Sequence, residues 1–224
     1  MKMESIVYVN YSPYENSGKI LDFLLENFNY VFLFLLGFHN IKKKEKVNKL
    51  IIYKRGGLVK EYSLVHISEP QSLVFILLPI KSLVTFIQLL FYIYWLKKNY
   101  GKVDMYFTVN GFTAWVGNIA KWLDLVDKVV FWVWDYYPPK HKSKIITIMR
   151  RVYLYFDKVS LRSDKVVFVN NRILELRKKS NTLPDKNFTV VPIGTDFFSN
   201  INIKKKPKLT LGFIGVLKKN QGLD

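Results

Sequence analysis

One acidic residue follows directly on a run of large apolar side chains. Residues 131–134 read Phe-Trp-Val-Trp, and Asp135 comes next. The run predicts a buried strand, so the carboxylate is expected at the rim of an aromatic pocket. Aromatic rings stack on sugar faces, and a carboxylate accepts hydrogen bonds from paired hydroxyls. Asp135 is therefore the leading candidate for chemistry on a polyhydroxyl ligand. The alternative is a turn cap ahead of Pro138.

Three further candidates for binding a substrate also follow predicted strands. Asn110 precedes a glycine after one strand, and Tyr136 follows Asp135 after another. Gly18 lies in the loop between the first strand and the first helix. In open α/β sheets ligands bind beyond the carboxyl ends of the strands, and helix N-termini there attract anions. A plain helix-start role for Gly18 fits the sequence equally well, because no G-x-G-x-x-G fingerprint is present.

Several other chemistries have no support in the sequence. The chain contains no cysteine, which excludes disulfides, thiolate catalysis and cysteine metal sites. There is no H-E-x-x-H or other metal-binding spacing, so no metal is expected. No G-x-S-x-G elbow of a serine nucleophile is present, and no resident cofactor is expected. The absence of cysteine fits the cytoplasm, and the N-terminus does not have the form of a signal peptide.

The chain is strongly basic. Lysine plus arginine number 35 and aspartate plus glutamate 17, so the formal net charge is 35 − 17 = +18. Such a charge favours anionic partners, among them phosphorylated ligands and the acidic inner face of the plasma membrane. Lysines that only solvate the surface are the alternative. Nucleic acid is not an expected partner, because no reading motif accompanies the charge.

Apolar strands alternate with amphipathic helices along most of the chain. This alternation predicts an α/β fold, a Rossmann-like parallel sheet with helices on both faces. A hairpin around Gly56 and Gly57 is expected to interrupt the alternation. In the helix after Gly111, residues Trp115, Ile119, Trp122 and Leu123 are expected to face the core. The predicted strands are Ser5–Asn10, Tyr30–Leu36, Leu50–Tyr53, Leu58–Ile67, Val103–Val109, Lys128–Trp134, Lys165–Val169 and Phe188–Pro192.

Leu73–Leu96 is the most apolar stretch and is long enough to cross a bilayer, which takes roughly 20 residues. Lys81, Thr85 and Gln88 interrupt it at helical spacing and form a narrow polar stripe. Three interpretations stay open: a core helix with an exposed apolar flank, a helix lying in a membrane interface, and a spanning helix. The stripe favours the first two.

The last forty residues indicate a domain boundary. A β-branched strand stops at Pro192, a lysine-rich linker follows, and a new apolar strand begins at Leu209. The expected organisation is an N-terminal domain over 1–194, a linker over 195–208, and the first strand and loop of a truncated second domain over 209–224.

This boundary resembles the hinge of GT-B glycosyltransferases of family 4, the group 1 type. Those proteins commonly carry V-I-P-N-G-V-D, a linker, and then G-R-L-x-x-x-K-G at the start of a C-terminal domain. Here Val191–Asp196 reads V-P-I-G-T-D, and Gly215–Asp224 reads G-V-L-K-K-N-Q-G-L-D. The order and spacing agree over about forty residues, and the alternation upstream is compatible with the family.

The resemblance implies a glycosyltransferase that moves a sugar from a nucleotide-sugar donor to a hydroxyl of a glycan or lipid-linked acceptor. Asp135 would orient that hydroxyl or act as its general base. Gly215 with Lys218 and Lys219 would lie at the donor phosphates, although the family's usual arginine and lysine positions hold Val216 and Gln221.

The acidic pair that grips the nucleotide sugar in that family would lie beyond Asp224, in a C-terminal domain that completes the enzyme, encoded in the same frame or separately. The chain alone is then expected to be inactive. The alternative function is a non-catalytic domain, from a truncated or split enzyme, that binds an acceptor or a partner.

Overall fold

Eight strands form one sheet with helices on both of its faces. The computed structural model describes residues 3–11, 20–37, 48–67, 73–136, 142–179 and 188–192. The described residues all lie within one unit, Met1–Gly194. Gly18, the linker and the start of the second domain, with Gly215, Lys218 and Lys219, lie outside the described residues. The elements are, in chain order, β1 (Met3–Asn10), α1 (Ile20–Asn27), β2 (Phe28–Leu35), β3 (Lys49–Lys54), β4 (Gly57–Ser63), α2 (Val74–Tyr100), β5 (Val103–Thr108), α3 (Gly111–Trp122), β6 (Val126–Val133), α4 (Lys144–Ser160), β7 (Lys165–Phe168), α5 (Asn171–Lys179) and β8 (Phe188–Val190).

The strand order is β4-β3-β2-β1-β5-β6-β7-β8. Strands β2, β1, β5, β6, β7 and β8 are mutually parallel, and β3 and β4 form the antiparallel hairpin at one edge. The chain winds outward in one direction from β1 to β4, and α2 then carries it back across to β5. The predicted α/β doubly wound class is therefore confirmed, including the hairpin, which turns at Arg55 and Gly56 with positive φ angles of 50° and 81°.

The core has one layer on each face of the sheet. On the α1 side, Leu24 packs with β1 and β2 side chains such as Tyr8 and Leu33. On the other side, α2 and α3 pack on Val7 and Val9 of β1 and on the facing residues of β2 and β5. The central strands are apolar at nearly every position because both of their faces are covered, as is usual for parallel sheets.

The interior face of α3 differs from the one predicted. Trp122 is 83% exposed and Leu123 45% exposed, so the expectation that both face the core is wrong. The buried positions are the small or early ones, among them Ala114, Val116 and Ala120. The helix lies so close to its neighbours that small side chains, and not its large C-terminal ones, fill the interface.

The close approach of α3 to α4 requires a glycine at position 111. A Cβ added at Gly111 would lie 2.8 Å from Cα and 3.0 Å from N of Asp157, both backbone atoms of α4. Ser160 of α4 donates a hydrogen bond of 2.6 Å to the Gly111 carbonyl. Backbone atoms cannot rotate away, so a side chain here requires the two helices to separate.

We therefore expect Gly111→Ala to lower the free energy of unfolding by about 1–3 kcal/mol, the usual range for overpacking. Urea denaturation followed by circular dichroism measures this. Gly57→Ala is the control, because its added Cβ would meet only the Lys54 carbonyl at an ordinary 3.5 Å. Equal stability of the two variants would contradict the close helix contact.

The helix α2 presents two different faces. Leu89, Ile93 and Leu96 are fully buried against the sheet, whereas the opposite side is exposed. The predicted polar stripe lies on the inward side, since Lys81 and Thr85 are each only 7% exposed. By length and composition residues Ile76–Tyr100 are sufficient to cross a membrane. Lipid on all sides would remove the inward packing, so the described structure fits a helix that lies on the domain.

Candidate functional site

The strand order reverses direction between β1 and β5, which defines the switch point of the sheet. Val9 pairs with Thr108 there, and β1 also pairs with β2 on its other side. Successive connections leave the sheet in opposite directions at such a point, and the crevice between them is where open α/β sheets bind ligands. The carboxyl ends of β1, β5, β6, β7 and β8 all meet at this edge.

Asp135 and Tyr136 lie two and three residues after the end of β6 at that edge. Asp135 is exposed and Tyr136 is half-buried. Below them Trp132 and Trp134 pack edge to face, with ring centroids 5.5 Å apart and an interplanar angle of 89°. The indole Nε1 atoms of both tryptophans are buried without a hydrogen-bond acceptor among the described residues. Asp135 thus follows this aromatic pair in the chain, and both indole N–H groups of the pair are buried.

Asn110 lies two residues after the end of the neighbouring strand β5 and caps the helix that follows. Its Oδ1 accepts a hydrogen bond of 2.9 Å from the Phe112 backbone N–H, which satisfies one of the open donors at the start of α3. The Nδ2 group is then the part of this side chain that remains for a ligand. Asn110 therefore has a structural role that the sequence alone did not distinguish from a binding one.

A buried hydroxyl pair holds this strand end on the helix. Thr108 Oγ1 donates to the Val9 carbonyl at 3.1 Å and lies 2.6 Å from Thr113 Oγ1. Tyr106 donates its phenolic hydrogen to the Thr113 carbonyl at 2.8 Å, and burial raises the pKa of Tyr106 well above its ordinary value. These bonds join β1, β5 and α3 at the switch point and make the edge rigid.

A buried ion pair lies next to Tyr136. Arg177 of α5 contacts the Asp157 carboxylate of α4, and both side chains are almost completely buried. The Arg177 guanidinium carbon also lies 5.6 Å from the centroid of the Tyr136 ring. Burial raises the pKa of Asp157, and the Arg177 charge opposes that shift. The pair connects α4 and α5 to the segment that carries Asp135.

Sequence reasoning did not predict this pair, because Arg177 lies in a helix with several other basic residues. The available signal was its spacing, since Arg177 follows the buried Ile173 by four residues and so shares its inward face. Asp157 likewise stands on the inward face of α4. The Asn170 side chain, two residues after β7, caps α5 by accepting a hydrogen bond of 2.9 Å from the Ile173 N–H.

A shallow recess lies on the other side of the switch point, between α2 and the ends of β1, β2 and β4. It is lined by Tyr11, Lys81, Thr85, Gln88 and five other residues. Lys81 brings a positive charge to the recess, and Gln88 accepts from the Val65 N–H at 2.7 Å. The polar stripe recognised in the sequence is therefore the part of α2 that reaches the carboxyl edge.

The structure brings Asn110, Asp135 and Tyr136 to one edge on adjacent strands, which lie about 4.8 Å apart. The remaining predicted site residues, Gly18 and the donor-phosphate set at 215–219, fall outside the described residues. Among the residues that the structure describes, no group of three or more histidine, aspartate or glutamate side chains could hold a metal ion. The arrangement suits hydrogen bonding and stacking with a polyhydroxyl ligand.

Comparison with known proteins supports the fold. No protein-family model matches the sequence, and no curated protein matches it. A solved structure of sucrose-phosphate synthase from Thermosynechococcus elongatus is similar with a TM-score of 0.56 at 13% identity, over 86% of this chain and 49% of that chain. The chain thus spans about half the length of that structure. At this identity the likeness shows the fold alone, which is loosely GT-B-like.

Proposed function

We propose that this chain is the acceptor-binding half of a glycosyltransferase of the family 4, group 1 type. It would hold a glycan or lipid-linked acceptor while a sugar is transferred to its hydroxyl from a nucleotide-sugar donor. The observation that carries the proposal is the grouping of Asn110, Asp135 and Tyr136 at the carboxyl edge of a doubly wound sheet. That is the edge at which such sheets bind their ligands.

The chemistry of the edge fits a sugar hydroxyl. The exposed carboxylate of Asp135 can accept the hydroxyl hydrogen, which orients the oxygen or removes its proton. The Asn110 amide nitrogen supplies a donor, and the half-buried rings of Trp132 and Trp134 supply a stacking surface. No step requires a metal held by the described residues.

The donor side is proposed to belong to a second domain that begins near residue 209. Gly215, Lys218 and Lys219 would face the diphosphate there, with the lysines as positive charges. The linker over 195–208 would let the two domains close on donor and acceptor, which excludes water and orients the reacting groups.

The test is sugar transfer by the protein expressed from its complete coding frame. Radiolabelled uridine-, guanosine- and thymidine-diphosphate sugars are each offered together with a panel of glycan and lipid-linked acceptors. We expect label to move to the acceptor with one class of donor. Acceptor binding without transfer would support the non-catalytic alternative. Neither binding nor transfer with any acceptor would overturn the proposal.

A further inference from the structure

The outward face of α2 is a continuous apolar stripe. Because an α-helix turns about 100° per residue, the six exposed residues of the stripe share one face of α2, opposite the residues that pack on the sheet. They are between 48% and 70% exposed and extend over roughly 27 Å at about 1.5 Å per residue. The members are Ile76, Ile80, Leu83, Ile87, Phe91 and Tyr94.

The helix α4 carries a second stripe with the same exposure. Its four members, which are 52% to 62% exposed, are Ile145, Ile148, Val152 and Tyr155. Exposed Lys144, Arg151 and Lys158 run along one side of this stripe. The helix is thus apolar and basic on its outward side.

Both helices lie on the same face of the sheet, with α3 between them. The Trp115 ring of α3 lies 5.3 Å from Phe86 of α2 and 5.1 Å from Phe156 of α4, measured between centroids. These contacts involve the sides of α2 and α4 that face α3. The described residues do not cover either outward stripe. We call the two stripes and their basic residues the α2–α4 surface.

The charged side chains of the α2–α4 surface are all basic. Residues 74–100 contain no acidic side chain, and the only acidic residue of α4 is the buried Asp157. At the end of the α2 stripe the Lys98 Nζ lies 4.9 Å above the Tyr94 ring. An apolar stripe beside lysine and arginine side chains is the arrangement of helices that lie in the plane of an anionic membrane.

We propose that the α2–α4 surface docks on an anionic lipid bilayer, with both helices parallel to the membrane plane. The apolar stripes enter the boundary between headgroups and acyl chains, and the basic residues contact the lipid phosphates. The inward packing of α2 holds the helix on the domain, so the helix lies in the interface and does not cross it. A second copy of the chain is a poorer occupant because it brings the same positive charge. The inference stands on this surface alone and does not require sugar transfer.

Co-sedimentation with extruded vesicles tests the inference. Wild-type protein is expected to bind vesicles of phosphatidylcholine mixed with phosphatidylglycerol, to bind phosphatidylcholine alone weakly, and to be released by salt. The stripe variant Leu83→Ser/Ile87→Ser should lower the partition coefficient at least about tenfold. The charge variant Lys144→Gln/Arg151→Gln/Lys158→Gln should do the same for anionic vesicles only.

The hairpin provides matched controls outside the α2–α4 surface. Leu58→Ser/Val59→Ser replaces two residues that are 63% and 52% exposed, and Lys54→Gln/Arg55→Gln/Lys60→Gln removes three positive charges. Both are expected to change binding by no more than about twofold. Circular dichroism and thermal unfolding of each variant establish that it is folded.

Three outcomes would overturn the inference. Wild-type protein that does not bind anionic vesicles excludes the bilayer as the occupant. Binding that the stripe and charge variants retain places the contact elsewhere on the chain. Concentration-dependent dimers in analytical ultracentrifugation, lost in the stripe variant and formed without lipid, would assign the surface to a second copy. Transfer assays with a soluble acceptor are independent of all three.

Discussion

Replacing Asp135 by asparagine is expected to lower sugar transfer by about 10²- to 10⁴-fold if the carboxylate takes the proton of the acceptor hydroxyl. The substitution keeps the shape of the side chain and removes its charge. Asp135 is exposed and lies two residues after the end of β6, so the change leaves the core untouched. The loss should appear in kcat.

A purely orienting role for Asp135 gives a different pattern. Asparagine still accepts a hydrogen bond, so we expect a rise in the acceptor KM of about tenfold or less, the worth of one hydrogen bond. Asp127→Asn is the matched control, because Asp127 belongs to the same strand at the opposite end, where it pairs with Lys102 at 2.6 Å. Unchanged transfer by Asp135→Asn would remove this residue from the site.

The second large effect concerns the stability of the domain. We expect Arg177→Met to lower the free energy of unfolding by about 3–5 kcal/mol, because it leaves the Asp157 carboxylate buried without its partner. The side chains of Arg177 and Asp157 are 2% and 0% exposed in the folded chain. Chemical denaturation measures the loss. Arg172→Met, at an exposed position of the same helix, is the control and should change stability by less than about 0.5 kcal/mol.

The loss in Arg177→Met should depend on pH. Without the arginine, burial alone acts on Asp157 and holds its folded-state pKa above the unfolded value. A raised pKa means that the folded state binds the proton more tightly, so stability is retained at acid pH and lost as the pH rises through the folded pKa. The variant should therefore approach wild-type stability as the pH falls. A deficit independent of pH would show that lost packing, and not the unpaired charge, is responsible.

The order of the elements could be read from the sequence because local patterns carry it. The alternation of apolar strands and amphipathic helices predicted the doubly wound class, and the Arg55–Gly57 segment predicted the hairpin. Predicted boundaries mostly lie within a few residues of the observed ones, although the second hairpin strand ends at Ser63 instead of Ile67. The rule that ligands bind beyond the carboxyl ends of parallel strands was enough to predict that Asn110, Asp135 and Tyr136 lie at one edge.

What the sequence did not predict depends on contacts between elements distant in the chain. The burial of Arg177 needs a partner twenty residues away on another helix. The exposure of Trp122 follows from how closely α3 approaches its neighbours, which Gly111 and Gly117 decide; a Cβ at Gly117 would lie 2.5 Å from the Tyr106 ring. Hydrophobicity gives no information on such distances, so Trp122 and Leu123 were wrongly assigned to the core, whereas Trp115 packs against it.

The pairing of β1 with β5 determines when this sheet can be completed. The Ser5 backbone N–H donates a hydrogen bond of 2.8 Å to the Asp104 carboxylate, which lies 99 residues further along the chain. Ile6 lies opposite Met105 in the register.

During synthesis, β1 can pair with β2 early, but the other edge of β1 stays open until β5 has left the ribosome. Long loops must close before such a pair forms, which slows folding. The apolar α2 is made just before β5, so the nascent chain exposes an open strand edge and an unpacked hydrophobic helix together. Such a chain is open to association with other nascent chains until β5 closes the sheet.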